Sequence, residues 1–418
     1  MTHSSKGSAA TEEFRARARA WIAANLERRD DDAPHEQGEA PSPDRVIADK
    51  ALQAKIFDAG FAGITWPRAY GGQGLTDAEA AAWKEESAAY VTPSIYDQPF
   101  GVCGPTIVDL GTEEQKRRYI PKLLRGEEVW CQLFSEPGAG SDIAGLQTRA
   151  ERDGDEWIVN GQKVWTSGAQ ISDFGTLIAR TDPTVPKHNG ITMFIVDMRS
   201  PGLEVRPLRQ ATGEAPFNEV FFDNVRLPAD AVVGEINGGW GSTVLMLRHE
   251  RIYYGTIAPT PDRALAYSAV LAQARKEGRT GDPLVRDRLA YLYAVDASGD
   301  LLAQRMRQEV DAGVDLRARG SIAKLSTSAI ARQAIDVADE VAGLDLIAWQ
   351  GPAIDYPPVT RGVVSAPSLG IAGGSNEIQR GIIGERVLGL AKDPQLDREI
   401  PFNELRNLPK ARTATQLV

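Results

Sequence analysis

At 418 residues, with 42% hydrophobic and 25% charged side chains, the chain has the composition of a globular protein and too much length for one compact core, so two or three domains are expected. A formal charge of −10 excludes the concentrated basic footprint of a nucleic-acid surface, although local arginines can still meet an anionic small ligand. Two cysteines give no disulfide framework, the four histidines (His3, His35, His188, His249) show no metal-ligand spacing, and no run of about 18 apolar residues marks a membrane span; a reducing, cytoplasmic setting without membrane or metal is expected.

Met1 to Ala10 lacks the basic and apolar stretches of a signal peptide. Phe14, Ala18, Trp21, Ile22 and Leu26 then recur at helical spacing, which predicts a first amphipathic helix with Thr11 as its N-cap. Residues 31–44, where Asp, Gly and Pro cluster, read as a loop, and helical pattern resumes from about Pro43 to Ala59 before stopping at Gly60. Ile64-Thr-Trp-Pro67 and Tyr70-Gly-Gly-Gln-Gly74 read as an irregular connection. Helices follow at 76–90, 100–110 and 112–125, the last opened by Thr112-Glu-Glu-Gln115 as a capping box. Residues 1–127 are thus expected to form an all-α domain.

From 128 to 235 the period changes to two. Segments 129–136, 146–152, 156–160, 163–167, 174–181, 191–198, 202–208 and 217–223 are short and rich in Val, Ile, Phe and Trp, with Asp153-Gly154 and Asn160-Gly161 as hairpin turns. This pattern predicts a small β-barrel or sandwich. After Pro228 and a glycine-rich stretch the helical pattern returns over 236–392, with long helices expected at 238–275, 282–312, 317–342 and 375–390. Residues 393–418 read as a loosely ordered tail. The fold class is α+β, in the order α, then β, then α.

Two segments of the middle domain bear the chemistry. Residues 131–142 read Cys-Gln-Leu-Phe-Ser-Glu-Pro-Gly-Ala-Gly-Ser-Asp, a strand that breaks into a turn of small residues. There, backbone N–H groups and the hydroxyls of Ser135 and Ser141 can approach a flat polar ligand or its phosphates. Residues 161–168 read Gly-Gln-Lys-Val-Trp-Thr-Ser-Gly, so Trp165 offers a face for a stacked heterocycle and Thr166 and Ser167 offer donors to its edge. Either segment alone reads as well as a turn or as barrel core. Together, and in this order, they resemble the flavin-binding signature of the acyl-CoA dehydrogenase superfamily, over roughly residues 45–392. The resemblance implies an N-terminal helical domain, a central small β-barrel and a C-terminal four-helix bundle. It also implies a bound FAD and conversion of an acyl thioester to its trans-2-enoyl form. Phe134, Ser135, Ser141, Trp165 and Ser167 would contact the flavin, with Ser167 near N5, and Ser141 would also meet substrate.

Removing two hydrogens across an unactivated Cα–Cβ bond needs a carboxylate for the α proton, donors for the enolate oxygen and an acceptor for the β hydride. Many family members carry the base in a segment like Tyr-Glu-Gly-Thr-X-X-Ile-Gln-Arg. Here residues 372–380 read Ala-Gly-Gly-Ser-Asn-Glu-Ile-Gln-Arg, so Gly373 stands in the glutamate's place. The Gly373 N–H can still donate to a thioester carbonyl, with Gly374 beside the substrate; Glu377 lies a full helical turn further along. A second family solution, as in isovaleryl-CoA dehydrogenase and long-chain acyl-CoA dehydrogenase, places the glutamate on an earlier helix, immediately before an arginine. Leu245-Met-Leu-Arg-His-Glu-Arg-Ile252 matches it, which gives Glu250 as base and Arg251 as a substrate contact. Met246 shares the helix face of Glu250, an apolar wall expected to raise the carboxyl's pKa. An arbitrary helical glutamate between Arg248 and Arg251 is more often solvated; the family context reverses that. His249 points about 100° away and reads as a surface or packing residue. The missing side chain at Gly373-Gly374 leaves room for a branched, cyclic or bulky acyl group.

Two further family segments, Arg-X-X-Phe-Gly and Gln-Val-X-Gly-Gly-X-Gly, touch the flavin pyrophosphate and adenosine of a neighbouring subunit. Their counterparts here, Ala274-Arg-Lys-Glu-Gly-Arg279 and Ala338-Asp-Glu-Val-Ala-Gly-Leu344, match poorly, which leaves Arg275 and Arg279 as phosphate candidates. The implied partners are an acyl-CoA or acyl-carrier-protein thioester, an electron-transfer flavoprotein, and either a homotetramer or a mixed oligomer of two related chains sharing a flavin. Two other readings stand beside this one. The first is an oxygen-using enzyme on the same fold, such as a nitroalkane oxidase or flavin-dependent hydroxylase, against which the Glu250-Arg251 pair counts. The second is a non-enzymatic chain completing another chain's site, against which Glu250 and the intact flavin segments count.

Overall fold

The computed structural model describes residues 9–29, 41–253, 265–312, 314, 316–343, 346, 348, 358–392 and 397–405. The chain divides into two compact units, Met1–Leu208 with Ala215–Ala258 and Gln395–Val418, and Arg209–Glu214 with Pro259–Pro394.

In the first unit the helices are α1 (Ala9–Asn25), α2 (Pro43–Asp58), α3 (Asp77–Ser87), α4 (Gly104–Leu110), α5 (Glu113–Arg125) and α6 (Gly239–Ile252). Local cap chemistry sets several of their starts. Ser42 accepts the Arg45 N–H at the head of α2, and capping boxes Thr76/Glu79 and Thr112/Gln115 open α3 and α5. Thr11 is not a cap. Helix α1 begins at Ala9, and the Thr11 hydroxyl donates to Glu79 of α3 at 2.6 Å, because a carboxylate across the helix pair outcompetes the local backbone. The two helices pack through Phe14, Trp21, Phe61 and Trp83, with Phe61 and Trp83 stacked at 4.8 Å. The helix expected at 100–110 opens as a π turn, Pro99–Cys103, that runs into α4.

The strands are β1 (Trp130–Leu133), β2 (Arg149–Asp153), β3 (Glu156–Ser167), β4 (Phe174–Arg180), β5 (Ile191–Asp197), β6 (Leu203–Leu208), β7 (Phe217–Pro228) and β8 (Val232–Val233). They pair in the order β6-β7-β3-β2-β4-β5-β8, with β1 parallel to β4. Asp153-Gly154 does reverse the chain, with Asp153 facing Glu156. Asn160-Gly161 does not: β3 runs straight through it, and the register against β7 shifts between Val159 and Gly161. A Cβ on Gly161 would stand 2.4 Å from the Thr148 hydroxyl, so this glycine admits a close neighbour rather than a turn. Trp157 of β3 meets Phe194 of β5 at 5.4 Å although β2 and β4 separate them in the sheet. The sheet therefore curls like a barrel around one core, yet its described pairings stay open at edge strands β6 and β8.

The second unit holds α7 (Tyr267–Lys276), α8 (Pro283–Asp311), α9 (Gly320–Ala342), α10 (Pro358–Ser365) and α11 (Asn376–Ile382), the last continuing into a π turn, Ile383–Val387. Its core includes Val270, Leu289, Leu292, Ala334 and Val337. The single helix expected at 238–275 is two elements. Ala266 is extended (φ −67°, ψ 156°) just before α7, and α6 groups with the first unit. Residues 254–264 of that expected helix, Pro259 and Pro261 among them, lie outside the described residues. The expected loose tail is partly docked. Phe402 and Asn403 donate their N–H groups to the carbonyls of Val185 and Pro183 at 2.9 Å, and the buried Phe402 ring lies 3.8 Å from the Arg180 guanidinium. Residues 31–40 of the expected loop, and 393–396 and 406–418 of the tail, lie outside the described residues.

Candidate active site

Strand β1 ends at Leu133, and the turn that follows closes when Glu136 and Ala139 exchange backbone hydrogen bonds at 2.9 and 3.1 Å. A fully buried lysine anchors this turn. Lys163 Nζ donates to Glu136 Oε1 at 2.8 Å and to the Phe134 carbonyl at 2.9 Å, while the Glu136 carboxylate also accepts the N–H groups of Gln147 (2.6 Å) and Thr148 (2.9 Å). Burial alone would raise the Glu136 pKa, but Lys163 and the backbone donors outweigh it and hold the carboxyl below its ordinary value. The Val164 N–H donates to the Ser135 carbonyl at 2.8 Å. The two signature segments are therefore one rigid piece, joined at Ser135/Val164 and at Glu136/Lys163.

Next along β3, Trp165 sits at φ 61°, a left-handed conformation that costs a bulky residue roughly 1–3 kcal/mol. The strained bulge turns the indole out to 57% exposure, edge-on to Phe217 at 5.8 Å. Thr166 faces inward and Ser167 is half-buried. Ser141 is exposed, and a Cβ at Gly138 or Gly140 would meet nothing within 4 Å, so the turn presents open backbone. The Phe134 ring, by contrast, is buried in the helix–sheet core, so its expected flavin contact cannot come from an exposed ring.

Glu250 stands on α6 above Met246, which is wholly buried and meets the Thr176 hydroxyl through its sulfur at 3.8 Å. Gln132 of β1 reaches Glu250 Oε2 at 3.4 Å. Burial raises the Glu250 pKa above the ordinary carboxylate value; the Gln132 donor and the Arg251 charge oppose the shift without cancelling it. One strand thus leads into the candidate flavin turn and also touches the candidate base from Gln132. Arg251 is exposed. His249 pairs with Asp109 at 2.9 Å, a packing role.

The remaining candidates belong to the second unit. Gly373 and Gly374 adopt φ 64° and 89° in the turn before α11, and Gln379 donates to the Gly373 carbonyl at 2.9 Å. A glutamate at 373 would need the left-handed conformation that glycine accepts freely. Glu377 is exposed, pairs with Arg380 at 3.2 Å and has a lowered pKa, all unsuited to a base. Arg275 is exposed at the end of α7, whereas Arg279 donates to Asp282 at 3.0 Å and to the Glu340 carbonyl. Sequence reasoning passed over Gln132; its only signal was a polar residue in an otherwise buried strand.

Residues 8–127, 131–225 and 237–388 match, in that order, the N-terminal, middle and C-terminal domains of acyl-CoA dehydrogenases. The chain belongs to the acyl-CoA dehydrogenase family. It is 36% identical over 387 residues to acyl-CoA dehydrogenase IpdE1 of Mycobacterium tuberculosis, covering 91% of this chain and 98% of that relative. It is 37% identical over 355 residues to acyl-CoA dehydrogenase FadE34 of the same organism, covering 83% of this chain and 47% of that one. Among solved structures it is similar to the Tcur3481-Tcur3483 steroid ACAD, with a TM-score of 0.72, 30% identity and coverage of 93% and 99%. The ChsE4-ChsE5 complex from Mycobacterium tuberculosis gives a TM-score of 0.71 at 29% identity, covering 94% and 100%.

This acyl-CoA dehydrogenase is an FAD-dependent oxidoreductase acting on CH–CH bonds. Its own residues fit the cofactor: a turned-out indole gives a stacking face, and Ser135, Ser141 and Ser167 supply hydroxyls around backbone that no side chain fills. Among the described residues, no helix is long and apolar enough to cross a membrane.

Proposed function

We propose that this acyl-CoA dehydrogenase converts a bulky, branched or cyclic acyl thioester to its trans-2-enoyl form, with Glu250 as the base. The observation that carries the reading is a partly buried carboxyl of raised pKa, held by Gln132 from the strand that enters the flavin turn. A pKa raised toward the working pH makes a carboxylate a stronger proton acceptor without removing its charge. Glu250 takes the α proton, and the Gly373 N–H is assigned to the thioester carbonyl by the family resemblance. FAD, when bound, would supply the acceptor for the β hydride, and Ser135, Ser141, Trp165 and Ser167 would hold its isoalloxazine. Arg275, exposed and uncommitted to an ion pair among the described residues, is assigned to phosphate. Reduced enzyme passes its electrons to an electron-transfer flavoprotein.

The absent side chain at Gly373-Gly374 supports a large acyl group, and likeness to a protein described as a steroid ACAD supports a ring system in particular. Likeness to the ChsE4-ChsE5 complex supports assembly with a second chain, and the poor family match at 274–279 and 338–344 supports that chain's completing the adenine half of the flavin site.

Proton exchange tests the base directly. In D2O without oxygen, the enzyme should wash deuterium into the α position of a bound saturated thioester. Glu250→Gln should slow that exchange by about 10²–10⁴-fold with FAD still bound. Equal exchange in both proteins would remove Glu250 from the role.

A further inference from the structure

A carboxyl that the proposed reaction leaves unused is hydrogen-bonded to the end of the helix that carries the one it needs. Asp97 lies just before the π turn Pro99–Cys103, and its Oδ1 accepts a hydrogen bond from the Tyr253 hydroxyl at 2.8 Å. Tyr253 follows Glu250 by three residues at the end of α6, so it leaves the same helix face about 4.5 Å further along the axis. The Tyr253 ring lies against the backbone of Gly101: a Cβ there would stand 2.4 Å from the ring. Glycine at this position lets the π turn and the end of α6 close into one wall. Single π turns recur at binding sites because they redirect side chains.

Asp97 Oδ2 takes part in none of the hydrogen bonds among the described residues. Asp97 keeps contact with solvent even though burial raises its pKa, with Tyr253 opposing the shift. Glu250 shows the same combination. Among the described residues these are the two carboxyls shifted upward.

Resting on the proposed reaction, we infer that Asp97 and Tyr253 form a distal subsite for a hydroxyl on the acyl group, Tyr253 holding Oδ1 while Oδ2 receives the ligand. A hydroxyl suits either protonation state, since it donates to a carboxylate and accepts from an acid. A ligand carboxylate would be repelled, and a bare hydrocarbon would desolvate Oδ2 without replacing its hydrogen bond.

The test compares 3-cyclohexylpropanoyl-CoA with 3-(4-hydroxycyclohexyl)propanoyl-CoA, using FAD-loaded enzyme. Both anaerobic flavin reduction and calorimetric Kd are read. Wild type should favour the hydroxylated thioester by about ten- to a hundredfold. In Asp97→Leu the ratio should fall to about one, and in Tyr253→Phe, which keeps the ring on Gly101, it should fall part of the way. Equal FAD content in the variants excludes misfolding as the cause. A preference in Kd that Asp97→Leu abolishes, with no flavin reduction by either compound, upholds the subsite and defeats the reaction. Reduction by both compounds without preference upholds the reaction and overturns the subsite, as does a preference that survives Asp97→Leu.

Discussion

Glu250 owes its chemistry to its surroundings: burial over Met246 raises its pKa, and Gln132 moderates the rise by donating to the charged form. The acid limb of kcat/KM should therefore titrate above the ordinary glutamate value of 4.5. Removing a donor to the carboxylate destabilises the charged form. Gln132→Leu should accordingly move the limb to higher pH, and a pH–rate profile showing it unmoved or lowered would deny the contact. Glu250, Ser135, Ser141, Trp165 and Ser167 can be nominated from the sequence because each sits in a contiguous motif. Gln132, Asp97 and Tyr253 cannot. Their contacts join side chains across 118 positions (Gln132 and Glu250) and 156 positions (Asp97 and Tyr253), and no local pattern records such meetings.

The element that decides the proposed flavin site is β3, which presents Lys163 inward and Trp165 outward. Replacing Lys163 by methionine would leave the Glu136 carboxylate buried without its cation. Breaking one partner of such a pair costs about 3–5 kcal/mol. Lys163→Met should lower the denaturation midpoint and the FAD content together, and adding Glu136→Gln should restore part of both. Unchanged FAD content in the single variant would show that the pair does not hold the turn. Capping boxes at Thr76 and Thr112 were legible because cap and partner lie three residues apart. Thr11 was misread because its hydroxyl finds Glu79, 68 positions away. Asn160-Gly161 was misread because a glycine that admits Thr148 and a glycine that reverses the chain have the same letter.

At the scale of the whole molecule, the α, β, α order was legible because hydrophobic period is a local property. The division into units was not. It depends on α6 siding with the sheet, and on a chain that leaves the first unit and returns to it at residues 397–405. This returning strap clamps a polar layer. Arg180 donates to the carbonyls of Ala144 and Lys187 at 2.6 Å under Phe402, with burial drawing its pKa down to about 10, and Lys187 bridges Asp142 (2.9 Å) and Asp397 (2.7 Å). Phe402→Ala should cost about 3–5 kcal/mol. The loss should appear in tryptophan fluorescence, since seven of the eight tryptophans fall in the first unit. An unfolding curve superimposable on wild type would show the strap to be idle.

The most direct measurement is anaerobic titration of the bound flavin's absorbance with bulky acyl-CoA thioesters, for wild type and Glu250→Gln side by side. Bleaching in the wild type, slowed by about 10²-fold or more in the variant, is the expected result. Bleaching at equal rates in the two proteins would contradict the assignment of Glu250 as the base.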